Sequence, residues 1–273
     1  MSLDDADYAI LGIPYDSSQS YRIGSRFAPN AIRGASREIE GYDIEEGRDL
    51  SELKICDLGD VAVSFGNFEE TCRRVEETLK DVIAKGTIPI CLGGEHTISY
   101  CVTKVLSKGF VYLVLDAHLD FRDSYLGERF SHACVTRRVG EEIGIENVMV
   151  VGVRSASKEE LDDAQRLGLD YVGFFDYERN PETAMQRVKS KIEGRDIYLS
   201  LDLDVMDPKE ALGVCNPEPP GLGYRDLLYI FNVLKDCNLI GADIVEVTPL
   251  YDNYTPILAS KILFKILALP SQQ

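Results

Sequence analysis

Three side chains able to hold a metal ion stand at alternate positions where an apolar run ends, in Val111-Tyr-Leu-Val-Leu-Asp-Ala-His-Leu-Asp120. In an extended segment residues i, i+2 and i+4 share a face, so the spacing predicts that Asp116, His118 and Asp120 converge. A second pair, Asp202 and Asp204, lies in Ser200-Leu-Asp-Leu-Asp-Val-Met-Asp-Pro208. Burying both without a cation is costly, so a positive partner is expected. Alone, each group also reads as a polar strand end, but together with His96 they make four carboxylates and two imidazoles with no cysteine. That set selects a borderline-hard divalent ion, with Mn²⁺ favoured over Mg²⁺ by the histidines. Six ligands are too many for one ion with an open position. Two ions bridged by shared carboxylates fit better, and such a pair can hold and acidify a water.

These residues need a scaffold that brings distant segments together. Short, weakly alternating strands are expected at Tyr8–Pro14, Leu53–Cys56, Thr87–Leu92, Phe110–Leu115, Asn147–Val153, Asp170–Phe175, Asp196–Leu203 and Gly241–Val247. Between them fall helices at Asn67–Lys85, Thr97–Ser107, Ser131–Ile143, Lys158–Leu167, Pro181–Glu193, Tyr224–Leu234 and Pro256–Leu269, the last ending at Pro270. The clearest is the first, with Cys72, Val75, Leu79 and Val82 at helical spacing, a capping box at Asn67 and Glu70, and Gly86 as its stop. This alternation predicts one α/β/α domain over residues 1–273 with a mainly parallel sheet covered on both faces. Ligands of such sheets collect at the strands' carboxyl ends, where His96, Asp116, His118, Asp120, Asp202, Asp204 and Glu246 all fall. The third histidine, His132, lies in the loop beyond Asp120.

The chain has 29 Lys and Arg against 46 Asp and Glu, a formal charge of -17, which argues against nucleic acid or an anionic membrane and suits a cation or a basic small molecule. Its 7 cysteines are scattered and form no CxxC pair, as expected of reduced thiols in a cytoplasmic protein. No apolar run approaches the length of a membrane span and no leader opens the chain.

The motifs Gly93-Gly-Glu-His96, Asp116-Ala-His-Leu-Asp120, Ser131-His132 with Arg137-Arg138, Ser200 to Pro208, and Glu246 with Pro249 occur in an order that resembles the ureohydrolases, the arginase and agmatinase family. Gly12-Ile-Pro-Tyr-Asp16 and Ser20 to Pro29 extend the resemblance over nearly the whole chain. It implies a three-layer fold with an eight-stranded sheet, two Mn²⁺ ions per subunit, and a trimer or hexamer. One ion would take His96, Asp116, Asp120 and Asp202, the other His118, Asp116, Asp202 and Asp204. The implied reaction is attack of an activated water on a guanidinium carbon, releasing urea and an amine. Glu246 would grip the guanidinium, Asp120 pass a proton to the leaving nitrogen, and His132 relay protons to bulk water.

The loop Phe121–Phe130 and the arginine pair look like agmatinases, and Val151 to Ser155 lacks the aspartate with which arginases hold the substrate α-amino group. The expected substrate is therefore agmatine or N1-aminopropylagmatine, its terminal amine meeting Asp123 or Glu128. Arginine or guanidinobutyrate hydrolysis, amide deacetylation, and a silent binding relative are the alternatives. Three features depart from the family pattern: Glu95 stands where aspartate is usual, Ala133 replaces a glycine, and Asp207–Asn216 differs from the common Ala-Pro-Gly-Thr-Gly version, with Ala133 and Leu212–Asn216 expected at the substrate mouth.

Overall fold

Every residue of Val111–Leu115 and of Val148–Val153 is apolar or glycine, and every one is buried. A strand without a polar face must be covered on both sides. The computed structural model, which describes residues 1–269, shows how. In chain order it has β1 (Tyr8–Ile13), α1 (Ala28–Ser36), a small hairpin of β2 (Tyr42–Asp43) and β3 (Arg48–Asp49), β4 (Ile55–Asp60), α2 (Phe68–Ala84), β5 (Ile88–Gly93), α3 (Ile98–Thr103), β6 (Val111–Leu115), α4 (Val135–Ile143), β7 (Val148–Val153) and α5 (Lys158–Leu167). There follow β8 (Asp170–Gly173), α6 (Phe174–Arg179), α7 (Pro181–Ile192), β9 (Asp196–Asp202), α8 (Tyr224–Leu234), β10 (Asn238–Val245) and α9 (Thr255–Ala268).

The main sheet runs β4-β1-β5-β10-β9-β6-β7-β8, and all its pairings are parallel. Its alternating side chains feed two cores. Val111, Leu113 and Leu115 join α1, α6, α7, α8 and α9 on one face, while Tyr112 and Val114 join α2, α3, α4 and α5 on the other. The result is a three-layer α/β/α fold. Because β10 and β9 insert between β5 and β6, the strands that carry the candidate residues are four neighbours at the sheet's centre. Their carboxyl ends meet at the point where ligands of such sheets bind.

Local chemistry sets the element ends. Asn67 accepts the Glu70 N–H at 3.0 Å to start α2, and Ser157 and Glu160 form a capping box for α5. The structure differs from expectation in several places. Helix α1 begins at Ala28, with Pro29 in its first turn, where the polar, glycine-containing sequence from Asp16 to Pro29 suggests a loop, and β4 extends to Asp60. The strand expected to reach Phe175 stops at Gly173, where α6 starts. The Ser131–Ile143 helix is a 3-10 turn at His132–Cys134 followed by α4, and the helix expected over Thr97–Ser107 is only the six residues of α3. The expected stop at Pro270 lies outside the described residues. All seven cysteines are buried and free. Among the described residues no helix is long and apolar enough to cross a membrane.

Candidate metal centre and active site

Strand β6 ends at Leu115, so Asp116, His118 and Asp120 do not converge through strand periodicity. Past β6 only an isolated bridge, His118 to Ser155, continues the pairing, and Asp120 turns with φ 49°. That left-handed conformation, rare for a residue with a side chain, brings its carboxylate back beside Asp116. Asp202 is the last residue of β9, and Asp204 follows in a 3-10 turn capped by the Asp202 carboxylate, which accepts the Asp204 N–H at 2.9 Å.

His96 shows what the centre requires. Its Nε2 lies 3.0 Å from Ser200 Oγ, whose proton goes to Asp243 at 2.7 Å, so Ser200 can only accept from Nε2–H. Tyr198 also donates to Asp243, at 2.6 Å, and holds that carboxylate in place. The Nδ1 lone pair then faces Asp116 Oδ2 at 3.1 Å, Asp120 Oδ2 at 3.1 Å and Asp202 Oδ2 at 3.2 Å. Neither His96 Nδ1 nor Asp116 Oδ2 has a hydrogen-bond partner, and both side chains are fully buried. Acceptors so arranged call for a cation. In its absence burial resists charging of His96, but Tyr112 and the three carboxylates drive it well above its ordinary value. A proton on Nδ1 answers one carboxylate; a divalent ion answers all three.

A second group adjoins the first. His118 Nδ1 is 3.0 Å from Asp204 Oδ2 and 3.5 Å from Asp116 Oδ1. The two groups, His96-Asp116-Asp120-Asp202 and Asp116-His118-Asp204, each have donor atoms within 4.8 Å of one another. Asp116 belongs to both. Asp202, expected to bridge as well, joins only the first, because its other oxygen caps the Asp204 turn. Burial raises Asp202, as do Asp204 and Asp116, and burial with Asp116 pushes Asp120 up to about 8. Burial also acts on Asp116, but the His118 and His96 rings hold it below the carboxylate range.

Glu246 follows β10 with φ 65°, another strained position at the site. Its Oε1 accepts the His96 N–H at 2.6 Å and its Oε2 is 3.3 Å from Gln19 Nε2. Burial raises its pKa to about 7, with Glu95 adding to the effect. Its N–H donates at 2.9 Å to the carbonyl of Gly94, where a Cβ would lie 1.9 Å from Tyr15 O, so only glycine fits. His132, buried edge-on against Tyr125, is lowered to about 4 by burial and by His118 and His96, and is neutral at pH 7.

A cavity of about 240 Å³ joins these groups: His118, Asp120, His132, Asp202, Asp204 and Glu246 line it, with Arg122, Tyr125, Ser155, Glu160, Asn216 and Glu218 toward the mouth. A larger cavity, about 820 Å³, sits among Asp7, Lys54, Thr87, Asp196 and Asn238 at the strands' amino ends and holds no candidate residue. Asp123 and Glu128 are not in the site cavity. Asp123 is bound by Arg138 at 3.1 Å and lines a neighbouring groove, and Glu128 is exposed on a turn closed by hydrogen bonds with Tyr125. The mouth carboxylates are instead Glu160, paired with Arg122 at 2.9 Å, and Glu218. The Glu218 carboxylate accepts from Ser155 Oγ at 3.2 Å and forms no ion pair among the described residues.

This arrangement has counterparts. The family model described as the arginase family matches residues 6–268. An agmatinase of Pyrococcus horikoshii is 40% identical, covering 100% of this chain and 95% of its own. The chain belongs to the arginase family. A member named N(1)-aminopropylagmatine ureohydrolase, from Thermococcus kodakarensis, is 36% identical over 96% of this chain and 90% of its own. The solved agmatine ureohydrolase of Thermoplasma volcanium superposes with a TM-score of 0.91 at 37% identity, covering 98% of this chain and 91% of that one.

Arginase-family motifs did not point to several residues that shape this site. Arg154 binds backbone oxygens of Asp204 at 2.7 Å, Val205 at 3.1 Å and Glu218 at 2.7 Å, tying the end of β7 to the segments carrying Asp204 and Glu218. Gln19 joins Ser25, Cys215 and Glu246. Ser200 and Asp243 alternate with apolar residues inside strands, and a buried polar residue at such a position was their one signal in the sequence.

Proposed function

We propose that the chain is a binuclear manganese ureohydrolase cleaving agmatine to putrescine and urea, or N1-aminopropylagmatine to spermidine and urea. The observation that carries this is the acceptor-only pocket around His96 Nδ1 and Asp116 Oδ2, with Glu246 beside it. One ion would be held by His96, Asp116, Asp120 and Asp202, the other by Asp116, His118 and Asp204. When bound, the pair supplies Lewis acidity and makes a nucleophile from water near neutral pH, which the weakly electrophilic guanidinium needs.

The protein's own groups do the rest. Glu246, fixed through the His96 N–H, accepts guanidinium N–H bonds and orients the carbon. Asp120 passes a proton to the leaving nitrogen, and neutral His132, on the cavity wall, exchanges protons with solvent. Glu218 offers its unpaired carboxylate to the substrate's terminal amine, a role that Asp123, neutralised by arginines, is badly placed to fill. We also propose a cytoplasmic homo-oligomer, with the exposed Tyr21 and Tyr251 rings that flank Arg22 as part of the surface on which copies meet.

The test is urea release by manganese-loaded protein from agmatine, N1-aminopropylagmatine, arginine and 4-guanidinobutyrate. Agmatine or its aminopropyl form is expected to be preferred. Glu218→Gln should raise KM for agmatine about three- to fivefold, the value of one semi-exposed charge pair, with little change for 4-guanidinobutyrate. An unchanged KM would remove Glu218 from the substrate's path, and a preference for 4-guanidinobutyrate would sink the polyamine reading.

A further inference from the structure

Glu95 is fully buried beside the metal centre, yet it belongs to neither metal group. Its carboxylate takes three short hydrogen bonds, each 2.6 Å long, from Ser18 N–H, Ser18 Oγ and Thr97 Oγ1. Ser18, in the loop after β1, also has its Oγ 3.0 Å from the backbone nitrogen of His132 and 3.1 Å from His132 Nδ1.

A serine hydroxyl has one proton to give and two lone pairs to receive. Glu95 Oε1, at 2.6 Å the shortest contact, accepts the Ser18 proton. The His132 N–H can only donate and occupies one lone pair. The lone pair that remains faces Nδ1, which must therefore carry a hydrogen. His132 is left with an Nε2 lone pair on the cavity wall, 3.5 Å from Ser20 Oγ.

We infer that Glu95 is a positioning residue that acts through Ser18 to fix His132 as the Nδ1–H tautomer, with Nε2 the atom that accepts a proton. This rests on the proposed hydrolysis only for the use made of Nε2; the tautomer follows from the hydrogen bonds alone.

Imidazole ¹⁵N shifts test this in the full chain loaded with a diamagnetic divalent ion at about pH 8.5, where an ordinary imidazole is neutral. The chain has only 3 histidines, and the signal lost in His132→Asn assigns His132. Wild type should show a protonated Nδ1. In Glu95→Gln the amide N–H donates to Ser18, which turns its proton to Nδ1, so His132 should convert to the Nε2–H form. The kcat for the guanidine should fall about a hundredfold with KM nearly unchanged, the low end of what a positioned general base contributes. Ser18→Ala should give mixed tautomers. An Nε2–H ring in wild type, or no change in Glu95→Gln, overturns the inference. A converted tautomer with unaltered kcat upholds the positioning role and instead removes His132 from proton transfer.

Discussion

Asp116→Asn should lower urea release by at least about 10³-fold, roughly 4 kcal/mol of transition-state stabilisation. Asp116 is the one carboxylate common to both groups, with one oxygen beside His96 and the other beside His118. Asparagine keeps the shape and the Oδ1 that accepts the His118 N–H at 2.6 Å, but removes the charge on which both ions would depend. Metal analysis should find fewer than two ions per chain. Thermal melting should separate this from misfolding. Without metal Asp116 pairs with the His118 and His96 rings, so metal-free Asp116→Asn should melt somewhat lower than metal-free wild type while still unfolding cooperatively. Manganese should then raise the melting temperature of wild type and not of the variant. A variant that keeps two ions and normal turnover would remove Asp116 from the centre.

Glu246→Gln should lower kcat/KM by about 10²- to 10³-fold while leaving metal content intact. Glutamine can still accept the His96 N–H, so the backbone at φ 65° keeps its tether. What is lost is the negative charge opposite the guanidinium, and leaving one member of a buried charge pair alone costs about 3–5 kcal/mol. Reduced activity with both ions bound would set Glu246 apart from the metal ligands. Metal loss in this variant would show that Glu246 supports His96 and does not contact substrate.

The architecture was largely legible in the sequence because its strands are short apolar runs separated by capped amphipathic helices, a pattern only a covered parallel sheet satisfies. What the pattern could not give was the order of strands. That β10 and β9 insert between β5 and β6 is a long-range fact, and it is what gathers His96, Asp116, Asp202 and Glu246. The convergence of Asp116, His118 and Asp120 was anticipated for a different reason: alternation along a strand suggested it, whereas a left-handed turn at Asp120 produces it. Helix α1 was hidden because its sequence, with Pro29, Asn30 and Gly34, has the composition of a loop. Asp123 and Glu128, expected at the substrate tail from their place in the Phe121–Phe130 loop, do not line the cavity, whereas Glu218, which only the fold brings across, does. Ser18 and Glu95, 77 residues apart, meet for the same reason.

The most direct measurement is to titrate manganese into metal-free protein while following ions bound per chain and urea released from agmatine. A binuclear manganese centre gives no urea without metal and a plateau when two ions per chain are bound. A plateau at one ion, or two bound ions with no urea from agmatine, N1-aminopropylagmatine, arginine or 4-guanidinobutyrate, would contradict it.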